Sequence, residues 1–233
     1  PASAAESIDA PYTVQLCASM ISGPFGAAAM LVHAVLFLVG ARFARVSPAG
    51  YLLGLHIAGL VMGTYATYVR RIAVRVRRVR VPVRALPEAL EGYTLAQLSD
   101  LHCGPNLPRW LYRSVAARAS SLGADLVVLT GDMITDGTGY LDDVRDLVSR
   151  VSAPDGVYAV MGNHDYFGTT EGVADAMREG GATVLRNESV RLRPARGGAF
   201  VLAGLEDTWT KRADLARTMA KRGDHEGDPC VLL

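Results

Sequence analysis

Acidic residues are scarce at the start of this 233-residue sequence, where Glu6 and Asp9 are the only two before residue 85. With nine arginines, residues 1–84 carry a net charge of +7. Residues 85–233 carry 15 basic and 21 acidic side chains, a net charge of −6. This acidic second part lacks the basic face with which proteins contact nucleic-acid phosphates. We therefore expect no nucleic acid among the partners.

Cysteine is also scarce, with Cys17, Cys103 and Cys230 scattered along the chain. Three isolated cysteines do not form a disulfide framework of the kind that holds small secreted domains together. The fold must therefore depend on a hydrophobic core, which a chain of this length with half its residues apolar can form.

Charged side chains are absent from two long apolar runs, residues 10–41 and 46–69. A helix that crosses a bilayer needs about 20 such residues. We interpret residues 1–69 as a membrane region with transmembrane helices at about 19–41 and 49–69. The alternative is a buried helical hairpin in a soluble protein.

Residues 70–85 contain seven arginines and no acid. Such a cluster beside an apolar run favours the cytoplasmic, anionic face of a membrane. The chain is thus predicted to lie in the cell membrane, with residues 70–85 as a juxtamembrane linker and the soluble domain in the cytoplasm.

From residue 86 onward, short apolar runs alternate with polar turns and helical stretches, which is typical of an α/β domain. The predicted helices cover about 108–121, 140–150 and 170–180. The predicted strands cover 94–98, 126–130, 157–161, 183–185, 189–193, 199–203 and, from its first residues, 230–233.

Three of these strands are followed by side chains of the types that bind metals in proteins. Asp100 and His102 follow the first strand, Asp132 follows the second, and Asn163 follows the third. Because the carboxyl ends of strands in an α/β sheet line one crevice, these side chains should converge there. Each motif alone is weak, since Asp-x-His, Gly-Asp and Asn-His-Asp also occur in ordinary turns and helix caps.

Taken together, the order Asp-x-His, Gly-Asp, Gly-Asn-His-Asp closely resembles the signature of the calcineurin-like metallophosphoesterases, and its details resemble the membrane-associated bacterial YkuE/YaeI-like branch. The resemblance covers residues 86–233. It implies a β-sandwich flanked by helices and two divalent metal ions, Mn, Zn, Fe or Mg. The implied ligands are Asp100, His102, Asp132 and Asn163.

The resemblance gives His164 the catalytic position facing the phosphate, and we expect Asp165 to orient it. The implied reaction is hydrolysis of phosphate mono- or diesters by a metal-bound hydroxide. Membrane anchoring makes a lipid-linked pyrophosphate a plausible substrate. The alternatives are a soluble-nucleotide phosphodiesterase and a catalytically inactive membrane scaffold.

The family pattern continues with a further His and a Gly-His-x-His motif, which this sequence lacks. We expect those ligands beyond Leu233, in a longer native chain of which this domain is a C-terminally incomplete part. With only Asp132 and Asn163 for the second metal, the 233 residues alone are predicted to have weak activity or none.

Overall fold

The computed structural model describes residues 48–69, 72–84, 86–105, 108–167, 169–221 and 227–233. The chain divides into two compact units, Pro1–Val76 and Arg77–Leu233. In the first unit, helix α1 spans Pro48–Thr64 and is followed by a π-helical segment at Tyr65–Val69. The helix predicted at 19–41 lies outside the described residues. Within the part of the chain that the structure describes, no helix has both the length and the apolar character to cross a membrane.

The second unit contains every strand and helix predicted from the sequence, with ends that differ by at most one residue. Its strands are β1 (Leu95–Leu98), β2 (Leu126–Thr130), β3 (Val157–Val160), β4 (Thr183–Val184), β5 (Glu188–Leu192), β6 (Phe200–Gly204) and β7 (Cys230–Leu232). Its helices are α2 (Arg109–Ser121), α3 (Leu141–Ser149), α4 (Thr170–Glu179) and α5 (Leu215–Ala220). The sequence patterns did not predict α5, which is one and a half turns long and is capped by Asp214.

The strands form two sheets. Strands β1 to β4 pair in chain order in a parallel sheet, in which Leu98 lies opposite Leu129 and Thr130 opposite Val160. Strands β5, β6 and β7 form a second sheet with one antiparallel and one parallel pairing. Because β1, β2 and β3 are parallel neighbours, the loops that follow them emerge at the same edge.

Side-chain alternation along β2 shows how the layers pack. Val127 and Leu129 face one way, into a core that includes Ala116 of α2 and Leu147 of α3. Leu126 and Val128 face the other way and pack with residues of both sheets. The first sheet is therefore covered by helices on one face and by the second sheet on the other, which confirms the predicted α/β class with flanking helices.

Candidate metal centre

The loops after β1 and β2 run beside each other and are joined by backbone hydrogen bonds. The N–H of Asp100 donates to the carbonyl of Gly131 at 3.2 Å, and the N–H of His102 donates to the carbonyl of Asp132 at 2.9 Å. This pairing continues the parallel ladder past the ends of the strands. It places two of the predicted ligand loops in register.

The backbone is left-handed at three of the predicted ligands, with φ values of 57° at Asp100, 46° at His102 and 55° at Asp132. This region costs a residue with a side chain roughly 1–3 kcal/mol and is retained where the surrounding structure holds it. Three such residues in two adjacent loops indicate that the backbone conformation is retained because it sets the direction of these side chains.

Two glycines allow the loops after β2 and β3 to touch. A Cβ atom on Gly131, where φ is 85°, would lie 2.5 Å from the Cα of Gly162. A Cβ on Gly162 would lie 2.5 Å from the backbone nitrogen of Asp132 and would also overlap its carboxylate. Only glycine fits at either position, so the two loops meet backbone to backbone.

Three side chains from the three loops converge at this edge. His102, Asp132 and His164 each offer one ligand atom within 4.8 Å of the other two. Nε2 of His102 lies 3.8 Å from Oδ2 of Asp132, and the ring centroids of His102 and His164 are 4.7 Å apart. Imidazole and carboxylate donors suit Zn, Mn and Fe, so the residues fit a divalent metal.

The other two predicted ligands are close in sequence to members of this cluster, but Asp100 is not among its three residues. Asp100 lies on the same loop as His102, and its carboxylate accepts a hydrogen bond from the Ser99 hydroxyl. Asn163 immediately precedes the 3-10 helix His164–Tyr166 and is partly buried. The structure therefore brings Asp132 and His102 together as expected, and it adds His164, whose expected position was beside the phosphate.

Two hydrogen bonds fix His164. Its backbone N–H donates to Oδ1 of Asp132 at 3.0 Å, and its ring nitrogen Nδ1 lies 2.7 Å from the carbonyl oxygen of Thr135. A carbonyl can only accept, so Nδ1 carries the hydrogen and Nε2 is the ring nitrogen left to bind a ligand or a proton. The sequence could not reveal Thr135, because the contact is made by its backbone and depends on the path of the loop.

Asp165 is fully buried and joins the loops after β2 and β3. Oδ1 accepts from the N–H groups of Met133 and Ile134, and Oδ2 accepts from those of Asp132 and Gly162, at 2.8–3.2 Å. Burial raises the pKa of this carboxyl to about 6, although the amides of Gly162, Ile134 and Met133 oppose the rise. The ring of His164, which we expected Asp165 to orient, is held by Thr135 instead.

Cys103 follows the predicted ligand His102 but is not suited to binding a metal. It is completely buried, and burial raises the pKa of its thiol to about 12. A metal ligand would have to be the thiolate, so this side chain is part of the core.

The sequence model of the calcineurin-like phosphoesterases matches residues 93–211, which include all three motifs. The chain belongs to this family. Its members use divalent metals, in agreement with the donor set above. A transmembrane protein with a metallophosphoesterase domain from Danio rerio is 32% identical over 132 residues, 55% of this chain and 30% of that protein.

Two bacterial relatives also match. The uncharacterized metallophosphoesterase YkuE of Bacillus subtilis is 28% identical over 163 residues, 69% of this chain and 57% of that protein. UDP-2,3-diacylglucosamine pyrophosphatase LpxG of Chlamydia muridarum is 33% identical over 78 residues, 33% of this chain and 24% of that protein. The chain thus spans between about a quarter and three fifths of the length of these relatives.

Proposed function

We propose that this protein is a membrane-anchored, two-metal hydrolase of phosphate mono- or diesters. The observation that supports it best is the convergence of His102, Asp132 and His164 within 4.8 Å at the ends of neighbouring strands. Strained backbone at two of the three residues supports the same interpretation, because it is retained where side-chain direction matters.

Asp100, His102, Asp132 and Asn163 are the proposed metal ligands, with Asp132 shared between the two ions. Bound divalent ions would neutralise charge on the phosphate and lower the pKa of water. Asp132 is suited to the shared position because it lies in the middle loop of the three. Its Oδ1 also accepts from the His164 backbone, so the carboxylate has little freedom to rotate.

His164 is the proposed proton donor to the leaving group. Since Nδ1 keeps its hydrogen for the Thr135 carbonyl, only Nε2 can exchange a proton with the substrate. When the imidazole is doubly protonated, Nε2–H can donate to a phosphate-ester oxygen, and the Thr135 carbonyl stabilises the positive ring. Asp165 acts through the backbone, as the connection that keeps Asp132 and His164 in place.

The proposed substrates include lipid-linked phosphates such as pyrophosphates. Two features support them: the uncharged run at 46–69 next to the arginine cluster, and similarity to a protein named for its action on a diacylated UDP-sugar. An enzyme anchored in the membrane plane meets such substrates at high local concentration.

Hydrolysis of an aryl phosphate by the full-length protein is the direct test. We expect turnover to fall to background in excess chelator and to return with Mn²⁺. Asp132→Asn should lose bound metal, measured by mass spectrometry of the metal content. His164→Ala should keep it and lose about 10²- to 10⁴-fold in kcat.

Asp142→Asn is the matched control, because that carboxylate is 81% exposed on α3 and should change neither quantity. Unchanged turnover in chelator would refute metal dependence. A metal-free His164→Ala protein would instead make His164 a ligand, as its place in the three-residue cluster also allows.

A further inference from the structure

Four aromatic rings in series connect the metal centre to the protein surface. The centroid of His102 is 4.7 Å from that of His164, His164 is 5.1 Å from Phe167, and Phe167 is 5.9 Å from Trp209. The two histidines belong to the site described above, whereas Phe167 and Trp209 have no role in the proposed reaction. Trp209 is 69% exposed and Phe167 is 37% exposed. A large aromatic surface is therefore left in water next to the reaction centre.

The exposed indole is held on an ordered turn. In the segment after β6, the N–H of Thr210 donates to the Asp207 carboxylate at 2.6 Å and the N–H of Arg212 donates to the Asp207 carbonyl at 3.1 Å. These bonds close the turn around Trp209. The position of the ring is thus set by the backbone and not by apolar burial of the side chain.

Asn187 fixes both ends of this segment from inside the domain. Its Oδ1 accepts from the N–H groups of Glu206 and Asp214, at 3.1 and 3.0 Å. Its Nδ2 donates to Glu206 and to the carbonyl of Arg212, both at 2.9 Å. The side chain is 4% exposed and its φ is 51°. A buried, fully bonded residue with a left-handed backbone rigidifies the segment it anchors.

A second set of contacts ties the segment to the 3-10 helix that carries His164. The Tyr166 hydroxyl donates to Oε1 of Glu206 at 2.8 Å, and the Arg212 guanidinium lies 4.6 Å above the Tyr166 ring. The segment that carries Trp209 is therefore held in place relative to His164, and the Trp209 ring contacts Phe167. Rigid aromatic side chains at a fixed distance from a reaction centre bind ligands at little cost in conformational entropy.

We infer that Phe167 and Trp209 form a binding site for a planar aromatic group attached to the phosphate of the substrate, such as a nucleobase or an aryl ester. The two ring planes meet at 77°, so a flat ring stacked on the face of one would meet the edge of the other. Both arrangements are favourable for aromatic rings. An acyl chain could bury apolar surface against these two rings but could not make the stacked or edge-to-face contacts. The inference rests on the proposed function, because it assigns the group that the hydrolysed phosphate carries.

The test compares kcat/KM for phenyl phosphate, a nucleoside 5′-monophosphate and hexyl phosphate. Trp209→Ala should lower kcat/KM for the two aromatic esters by about 5- to 100-fold, as expected for loss of one stacking partner, and should change hexyl phosphate less than threefold. Trp209→Tyr should retain most of the activity, since a ring remains. Trp209→Leu should resemble Trp209→Ala, because it keeps an apolar side chain and removes the ring.

Trp110→Ala is the matched control, because this tryptophan is 58% exposed in the first turn of α2 and makes none of the three ring contacts. An equal loss of activity towards aromatic and alkyl esters in Trp209→Ala would overturn the aromatic site while leaving the proposed hydrolase intact. So would an equal effect of Trp110→Ala and Trp209→Ala.

A binding measurement separates this inference from the hydrolase proposal. In a Trp110→Phe background, Trp209 is the only indole of the sequence, and its fluorescence should respond to phenyl phosphate at concentrations where hexyl phosphate has no effect. This response does not need turnover. The same response in a 233-residue chain that hydrolyses none of the esters would support the aromatic site independently of the hydrolase. Equal responses to both compounds would overturn the site.

Discussion

At the scale of single residues, Asp165 is the clearest case of a side chain that organises the site through the backbone. Asp165→Ala would leave four N–H groups, two buried and two partly buried, without this acceptor, and an unsatisfied buried donor costs about 1–3 kcal/mol. We expect the free energy of unfolding in urea, measured in chelator, to fall by at least about 3 kcal/mol.

The matched control for this loss is Asp175→Ala on α4. That carboxylate is 59% exposed and bonds Arg178 one turn away, so its removal should cost at most about 0.5 kcal/mol. Similar losses for the two variants would show that the backbone bonds of Asp165 contribute little. The sequence predicted Asp165 as a site residue, yet its partners could not be foreseen, since a backbone amide has no signature in the sequence.

At the scale of elements, the contact between the loops after β2 and β3 limits which residues the site accepts as strongly as the ligand positions do. Gly162→Ala would push a Cβ into the backbone and carboxylate of Asp132, the central proposed ligand. A displacement of about 1 Å can cost 10²-fold in rate, and we expect a loss of that order in kcat/KM on the aryl phosphate, together with weaker metal binding.

Gly139→Ala provides the control, because nothing lies within 4 Å of the added Cβ and the backbone is not left-handed. Wild-type activity in Gly162→Ala would mean that the loops separate without cost, which would remove the case for a rigid site.

Strand β2 was predictable because its apolar run, Leu126–Thr130, is buried on both faces and ends at Gly131. The predicted ligands followed from the same pattern, since parallel neighbours must bring their ends together. Helix α5 was not predictable, because six residues show too little periodicity and its start depends on the Asp214 cap. The ring contact between Phe167 and Trp209 joins residues 42 apart in the printed sequence and depends on how β6 leads into its turn.

At the scale of the whole molecule, the division of charge predicts how the chain is oriented. Residues 70–85 carry seven arginines, whereas the short stretch between the two apolar runs carries only Arg42 and Arg45. Positive residues next to an apolar segment are retained on the cytoplasmic side, and the larger group sets the orientation. The acidic metal-binding domain should therefore lie in the cytoplasm, where its substrate would be reached from the inner leaflet.

A reporter fused after Leu233 tests this orientation in a bacterial host. We expect the signal of a reporter that is active only in the cytoplasm. Changing Arg75, Arg77, Arg78 and Arg80 together to Gln should place part of the population in the opposite orientation, because only three of the seven arginines would remain beside the segment. The same four changes to Lys keep the charge and should leave the signal unaltered. An effect of Lys equal to that of Gln, or a wild-type reporter active only outside the cytoplasm, would refute orientation by positive charge.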